Sequence, residues 1–272
     1  MKRSFRLFVV LLLTIATVRV AWAEDWILAV NEGVTYQDAG PTSERYRPLI
    51  DLLEKELKHP IQVKKVDRYS DLEKGLQDGH YELAFIHPAH IALRAVKNGN
   101  YAGVVTAAGY TDYRGRVLVP KDSPLRSMAD LRGKKIGVPA LESITTVMLT
   151  ATMKGLGEPN PETYYSVTRY QDAVPFMVEN RFTEAGVTAS SAVVKDWTGK
   201  GGRVLGETKP VPIKQFLVTR RFTDEQREKV RDLLLHLSDS EAGRQVLKGT
   251  NMKGFVPWDD AVMDAATKWL GL

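Results

Sequence analysis

The sequence lacks cysteine altogether: none occurs among its 272 residues. This absence excludes a disulfide framework, a thiolate metal site and a lipid-modified cysteine at the start of a mature chain. The sequence also lacks the G-x-G-x-x-G and phosphate-loop motifs, the G-x-S-x-G nucleophile elbow and the H-E-x-x-H zinc motif. Dinucleotide binding, serine hydrolysis and zinc proteolysis therefore find no support in its motifs.

Long hydrophobic runs are also scarce. The clear case, LFVVLLLTIATV, follows the basic residues Lys2, Arg3 and Arg6 near the start of the chain. It is shorter than the roughly 20 residues of a membrane span, and the A-W-A pattern that ends at Ala23 is typical of a cleavage site. We expect residues 1–23 to be a signal peptide, cleaved after Ala23, that directs the protein to the periplasm. A signal anchor is the alternative.

The excess of positive charge is small and lies mostly in that first stretch. The sequence has 38 basic and 33 acidic residues, a formal net charge of +5. Residues 1–23 contain Lys2, Arg3, Arg6 and Arg19 but no acidic residue, so the remaining chain is nearly neutral. A nearly neutral chain gives no reason to expect a nucleic acid or a membrane surface as a partner.

Strand-like and helical patterns alternate along the rest of the chain. The apolar runs WILAV, IQVKKV, YELAFI and YAGVVTAA are separated by segments with helical spacing, such as Leu49, Leu52, Leu53 and Leu57. Such a β-α-β-α-β-α-β order is typical of a mostly parallel sheet with helices on its faces. Because proline is tolerated best in a first turn, Pro48 favours a helix start near Tyr46.

A second series of strands and helices follows from about residue 115, and the tail has helical patterns without a strand pattern. The tail helices must then pack on an existing lobe. We predict that residues 24–114 plus 217–272 form lobe 1 and that residues 115–216 form lobe 2. The chain crosses between the lobes twice, near 113–116 and near 210–215, and two crossings make a hinge.

Four turns from a strand to a helix carry hydrogen-bonding side chains. In open α/β sheets, ligands bind beyond the carboxyl ends of the strands, against helix N-termini that suit anions. Two of these turns belong to lobe 1 and two to lobe 2, so a cleft between the lobes would bring them face to face. The candidate ligand-binding residues are Tyr36, Ser43, Tyr46, His87, His90, Ser143, Thr145, Thr146, Thr188 and Ser190.

Plain structural roles are open to the same residues. Ser143 is a candidate helix N-cap, although three hydroxyls in one turn exceed what one cap requires. His87 and His90 flank Pro88, which suits a first helical position, so both also fit as ordinary helix-start residues. If they do bind an oxyanion, their charge state would tune the affinity between about pH 5 and 8.

A metal site is weakly supported, because structural and catalytic zinc ions need three or four protein ligands. The other histidines have no ligand spacing to His87 and His90; they are His59, His80 and His236. We therefore expect no metal and no cofactor, and we interpret His87 and His90 as hydrogen-bond donors to an anion.

Several segments of the sequence are familiar as a set. They are RYRPLIDLLEKEL, YELAFIHPAHIALRA, VLVPKDSPLRSMADLRGKKIGVP, the S-x-T-T helix start at Ser143 and GFVPWDDAVMD. Together they resemble the phosphate/phosphite/phosphonate-binding family of periplasmic ABC-transporter substrate-binding proteins, over essentially the whole mature chain. The resemblance implies an α/β type II periplasmic-binding-protein fold, in which each lobe is a mostly parallel sheet flanked by helices.

The resemblance also implies a function. It implies a solute-binding protein, not an enzyme, that captures a small phosphonate- or phosphate-like oxyanion between its lobes for an ABC permease. We expect this protein to be a monomer. The implied ligand contacts are the helix start at Tyr46, the turns His87–His90 and Ser143–Thr146, and the VTAS turn. A periplasmic partner of a membrane sensor kinase is the alternative. A histidine-dependent metal-binding protein or enzyme is a more remote one.

Overall fold

The computed structural model describes residues 25–33 and 41–272. The signal peptide, its cleavage site and the candidate ligand-binding residue Tyr36 lie outside the described residues, so these expectations stay predictions. Within the described ranges, no helix combines the length and the apolar character that crossing a membrane requires.

The strands of the described residues fall into two sheets. They are β1 (Trp26–Asn31), β2 (Ile61–Lys65), β3 (Leu83–Ile86), β4 (Tyr101–Ala107), β5 (Arg116–Val119), β6 (Ile136–Val138), β7 (Tyr165–Val167), β8 (Ala185–Thr188), β9 (Arg203–Glu207), β10 (Gln215–Thr219) and β11 (Phe255–Pro257). The first sheet is six-stranded, in the order β11-β4-β10-β3-β1-β2, and the second is five-stranded, in the order β7-β6-β8-β5-β9.

Helices cover both sheets. They are α1 (Thr42–Leu57), α2 (Tyr69–Gln77), α3 (Ala89–Lys97), α4 (Ile144–Gly155), α5 (Val174–Glu179), α6 (Ser191–Gly199), α7 (Asp224–Leu235), α8 (Glu241–Gly249) and α9 (Asp260–Leu270). The predicted α/β class is therefore confirmed. The helix α1 begins at Thr42 and not near Tyr46, so Pro48 lies inside it. Its buried residues Tyr46, Leu49 and Leu53 hold this helix on the sheet in spite of the proline.

Both sheets are mixed, whereas the sequence pattern predicted mostly parallel ones. The strands β1, β2 and β3 are parallel, as are β6, β7 and β8. The strand β10, however, lies antiparallel between β3 and β4, and β5 lies antiparallel to β8 and β9. Parallel neighbours need a crossover helix. Because β10 follows an extended segment that returns from the second sheet, no such helix constrains its direction.

The tail contains a strand that its pattern did not predict. The three-residue strand β11 pairs antiparallel with β4 at the edge of the first sheet. It ends at Pro257, which an edge strand tolerates because one side of it needs no ladder hydrogen bond. Three residues are too few to show a period of two, so local pattern analysis missed the strand.

An apolar cluster holds helices of the two sheets together. It includes Leu93 of α3, Met148 of α4, Met263 of α9 and the connecting residues Val211 and Ile213. Side chains of this size contribute about 1.5–3 kcal/mol each when fully buried. The packing therefore holds α3 and α4 against each other.

The chain passes between the two sheets twice, between β4 and β5 and between β9 and β10. The two connecting segments pair with each other at Tyr113 and Val211. The Tyr113 N–H donates to the Val211 carbonyl at 3.2 Å, and the Val211 N–H donates back at 3.0 Å. This antiparallel bridge places the Tyr113 side chain beside the helix starts of both sheets.

Candidate functional site

The His87 ring lies against the end of β1. Its backbone N–H donates to the Asn31 carbonyl at 2.8 Å. The ring packs on Gly33, where an added Cβ would lie 2.6 Å from His87 Cδ2, and the backbone φ of Gly33 is +81°. Its other neighbour is Tyr113, whose ring meets it edge-on with centroids 6.0 Å apart. A glycine is thus needed at position 33, both for its backbone conformation and for space.

Two imidazole nitrogens at this helix start are buried without a hydrogen-bond partner. They are the Nδ1 atoms of His87 and His90, and they have no partner within the described part of the chain. His87 as a whole residue is half-buried, whereas His90 is only 4% exposed. Buried polar atoms are almost always paired in native proteins, so this pair needs an explanation.

Both histidines are neutral at neutral pH. Burial, and then the charge of Lys214, lower the pKa of His87 to about 3. Burial, followed by the charges of Arg94 and His87, lowers the pKa of His90 to about 3. The titration therefore falls below the range of about pH 5 to 8 that an unperturbed imidazole implies. A neutral imidazole has one donor and one acceptor nitrogen, so each ring can donate or accept a hydrogen bond.

Tyr113 connects this histidine pair to the second sheet. Its hydroxyl lies 3.2 Å from Oγ1 of Thr145, in the first turn of α4. The Gln171 Nε2 donates to the same hydroxyl at 3.3 Å. Thr145 is fully buried, and burial raises the pKa of Tyr113. The phenol is therefore neutral and acts as a shared donor and acceptor.

Gln171 also forms hydrogen bonds with the turn between β8 and α6. Its Oε1 accepts from the Thr188 hydroxyl at 3.2 Å and from the Ala189 N–H at 2.5 Å. The Thr188 Oγ1 accepts from the Ser190 N–H at 3.1 Å, and Ser190 caps α6 by accepting from Val193 N at 3.3 Å. Thr188 and Ser190 therefore lie in one network with Tyr113 and Thr145.

Ser143 is the N-cap of α4, as the sequence indicated. Its Oγ accepts from the Thr146 N–H at 3.2 Å and lies 3.1 Å from Thr146 Oγ1. The Thr146 hydroxyl also donates to the Pro139 carbonyl at 3.1 Å. The hydroxyls of this turn thus make structural hydrogen bonds, and Thr145 is the one directed to Tyr113.

The candidates on α1 are less central. Tyr46 is a fully buried core residue, and its hydroxyl donates to Glu32 Oε1 at 3.1 Å. Glu32, which follows β1, also forms an ion pair with Arg45. Ser43 is exposed in the first turn of α1. Tyr46 therefore orients the Glu32–Arg45 pair and exposes no surface of its own.

Sequence reasoning missed Tyr113, Gln171 and Lys214. Tyr113 lies within the predicted crossing near 113–116. Its position there could have indicated a role at the site, although its residue type alone did not. Gln171 belongs to a short helical turn, Gln171–Ala173, and lies outside the four turns from which the candidate residues were taken. The described residues contain no group of three or more His, Cys, Asp or Glu side chains that could hold a metal ion.

The architecture is that of type II periplasmic binding proteins. It has two mixed sheets, two connections between them and helix N-termini that meet at the connections. A family model described as "ABC transporter, phosphonate, periplasmic substrate-binding protein" matches residues 33–263. The chain belongs to this family of solute-binding proteins.

Solved structures agree with this fold. XAC2383 from Xanthomonas citri, bound to chloride ion, is similar with a TM-score of 0.74 at 16% identity, covering 92% of this chain and 98% of that chain. PhnD1 from Prochlorococcus marinus, in complex with methylphosphonate, gives 0.65 at 14% identity, covering 90% and 96%. A binding protein component of an ABC phosphonate transporter from Pseudomonas aeruginosa gives 0.59 at 13%, covering 90% and 84%.

Proposed function

We propose that this solute-binding protein captures a small phosphonate- or phosphate-like oxyanion where α3, α4 and α6 begin, and passes it to an ABC permease. The protein makes and breaks no bond in this role. The protein captures the ligand by closing its two lobes around it, because the free energy of binding favours the closed state.

The observation that carries the proposal is the pair of buried Nδ1 atoms of His87 and His90, which find no hydrogen-bond partner among residues 25–33 and 41–272. Leaving a buried polar atom unpaired costs about 1–3 kcal/mol. A ligand with several oxygen atoms would supply partners to both rings at once. The start of α3 adds free backbone N–H groups and a partial positive charge that favour an anion at the same place.

Neighbouring groups suit the same ligand. Tyr113, Thr145 and Gln171 already share hydrogen bonds, so a bound oxyanion would join an ordered network. Thr188 and Ser190 extend this network to the start of α6. Glu32, the carboxylate that follows β1, is paired with Arg45.

The lobes that close are residues 24–114 with 217–272 and residues 115–216. The Tyr113–Val211 bridge lies where the two connecting segments run side by side, so we place the hinge there. We further propose that the protein is exported by cleavage after Ala23 and acts as a monomer in the periplasm, which is the compartment of its family.

A thermal-shift screen of the chain from Glu24 onward tests the function. The ligands are methylphosphonate, phosphite, phosphate, sulfate, carboxylates and divalent metals. A ligand at about 100 times its dissociation constant adds about 2.7 kcal/mol, which raises the melting temperature by about 5–10 °C in a protein of this size. A rise with an oxyanion and none with metals is the expected result. A rise with metals alone contradicts the proposal, and so does a melting temperature that no anion raises.

A further inference from the structure

Lys214 has a left-handed backbone at the point where the chain enters the first sheet. Its φ is 59°. Its N–H donates to the His87 carbonyl at 3.2 Å, and its carbonyl accepts from the Ala107 N–H at 3.0 Å. Because β10 runs antiparallel to β3, the segment before β10 lies beside the carboxyl end of β3. Lys214 is therefore next to His87 although it is distant from it in sequence.

This backbone conformation is unfavourable for lysine. Residues other than glycine adopt a positive φ rarely, and asparagine and aspartate account for many of these cases. Such residues persist where their surroundings enforce them, and they cluster at ligand-binding sites and switch regions. The hydrogen bonds to His87 and Ala107 hold Lys214 in this conformation at both its N–H and its carbonyl.

The ammonium group of Lys214 has no carboxylate partner among the described residues. It lies over the Tyr110 ring, with Nζ 4.0 Å from the ring centroid. The guanidinium groups of Arg45 on α1 and Arg94 on α3 differ from it, because Arg45 is paired with Glu32 and Arg94 with Glu73. Residues 34–40, VTYQDAG, contain no lysine or arginine that would add another cation.

The Lys214 charge acts at the site. It is one of the causes that lower the pKa of His87, after burial. The imidazoles of His87 and His90 are neutral and bring no charge of their own to an anion. A cation–π contact such as that with Tyr110 is weaker than a charge-assisted hydrogen bond to an oxyanion. Moving the ammonium from the Tyr110 ring to a bound anion is therefore energetically favourable.

We propose that Lys214 is the counter-ion of the bound oxyanion, held over Tyr110 when the site is empty and turned to the ligand when it is filled. This inference rests on the proposed function. It adds a specificity-determining residue to the site: a cation that favours anionic ligands over neutral or zwitterionic solutes of the same size.

Isothermal titration calorimetry with methylphosphonate and with inorganic phosphate tests the inference. The variants are Lys214→Met, which keeps the stem but not the charge, Lys214→Arg, which keeps the charge, and Lys214→Gly, which removes the charge and suits the backbone. Lys134→Met is the matched control. Lys134 is exposed and precedes β6, at the end of that strand away from α4.

We expect Lys214→Met and Lys214→Gly to weaken binding by about 10- to 100-fold, the effect of losing a hydrogen bond to a charged group. Lys214→Arg should stay within about threefold of wild type, because the charge remains, and Lys134→Met should bind as wild type does. Lys214→Gly should also raise the melting temperature, since glycine adopts a positive φ freely. A loss of affinity in this better-folded variant separates charge from stability.

Equal affinity of Lys214→Met and wild type overturns the counter-ion role. So does an equal loss in Lys214→Arg and Lys214→Met, because the charge is then not what matters. If wild type binds neither anion nor any other oxyanion of the screen, the proposed function fails together with this inference. If wild type binds an oxyanion and Lys214→Met binds it equally well, only the inference about Lys214 fails and the proposed function stands.

Discussion

The phenol oxygen of Tyr113 lies 3.2 Å from Oγ1 of Thr145. The two residues belong to different parts of the fold: Tyr113 to a connection between the sheets, and Thr145 to the first turn of α4. The contact joins the turn that follows β6 to the segment that connects β4 and β5. It also adjoins His87, whose ring meets Tyr113 edge-on. The geometry makes Tyr113 the link between the histidine pair and the second sheet.

Tyr113→Phe tests this link. We expect it to lower the free energy of unfolding by about 1–3 kcal/mol, because the hydroxyl of Thr145 is fully buried and loses its partner. Oxyanion affinity should fall as well, while the ring contact with His87 remains. Urea unfolding and calorimetric titration measure the two effects. Tyr164→Phe is the control, since Tyr164 is 38% exposed. An unchanged unfolding midpoint in Tyr113→Phe would refute the link.

Gly33→Ala tests the packing of the His87 ring. A Cβ at Gly33 would lie 2.6 Å from His87 Cδ2, whereas a Cβ at Gly99 would meet nothing within 4 Å. The φ values are similar, +81° and +84°, so both alanine variants pay about 1–2 kcal/mol of backbone strain. We expect Gly33→Ala to lose more stability than Gly99→Ala and to lose oxyanion affinity, which Gly99→Ala keeps. Equal behaviour of the two variants would mean that the ring position does not matter.

The stability of the protein should fall as the pH falls below the ordinary pKa of histidine. The folded-state pKa values of His87 and His90 are about 3, below the unfolded value of about 6.5. Between these values the unfolded chain binds more protons, so the free energy of unfolding decreases with acid. Each histidine contributes at most about 1.4 kcal/mol per pH unit in this window.

The nearby charges that oppose protonation of these rings are Lys214 and Arg94. Urea unfolding at pH 7 and pH 5 measures the effect, and His90→Gln removes one of the two titrating groups. We expect a smaller difference between the two pH values in His90→Gln than in wild type. The same difference in both proteins would show that His90 does not stay neutral in the folded state.

Ser143→Ala separates capping from ligand binding. Ser143 caps α4, and Ser240 caps α8 by accepting from the Gly243 N–H at 3.0 Å. We expect each alanine variant to lose about 1 kcal/mol of stability, the usual cost of a removed N-cap. Only Ser143→Ala should also lower oxyanion affinity, because its cap positions the turn that carries Thr145. A binding loss of equal size in Ser240→Ala would trace the effect to stability alone.

Much of the fold followed from local patterns. The α/β alternation was predicted from apolar runs and helical spacing, and Ser143 was recognised as an N-cap from its place before a helix. The direction of β10 was not, because it depends on what the strand meets across the sheet. The strand β11 was missed since three residues carry no periodicity.

The site was predicted less completely. His87 and His90 were singled out because polar residues at a turn between a strand and a helix suit a ligand. Their neutrality was not foreseen, as it depends on burial. Lys214 gave no signal, because its neighbours His87 and Tyr110 are brought to it by the antiparallel pairing of β10.

The sequence by itself determined the class of fold and the polar residues at the turns from strand to helix, since these depend on neighbours within a few positions. Only the tertiary structure decided which of those polar groups find a hydrogen-bond partner and which do not. Thr146 and Ser190 are satisfied within their own turns, whereas Tyr113 reaches a partner 32 residues away. The Nδ1 atoms of His87 and His90 are left unpaired within the described residues. Pairing and burial are sums over the whole packed chain, and no local pattern contains them.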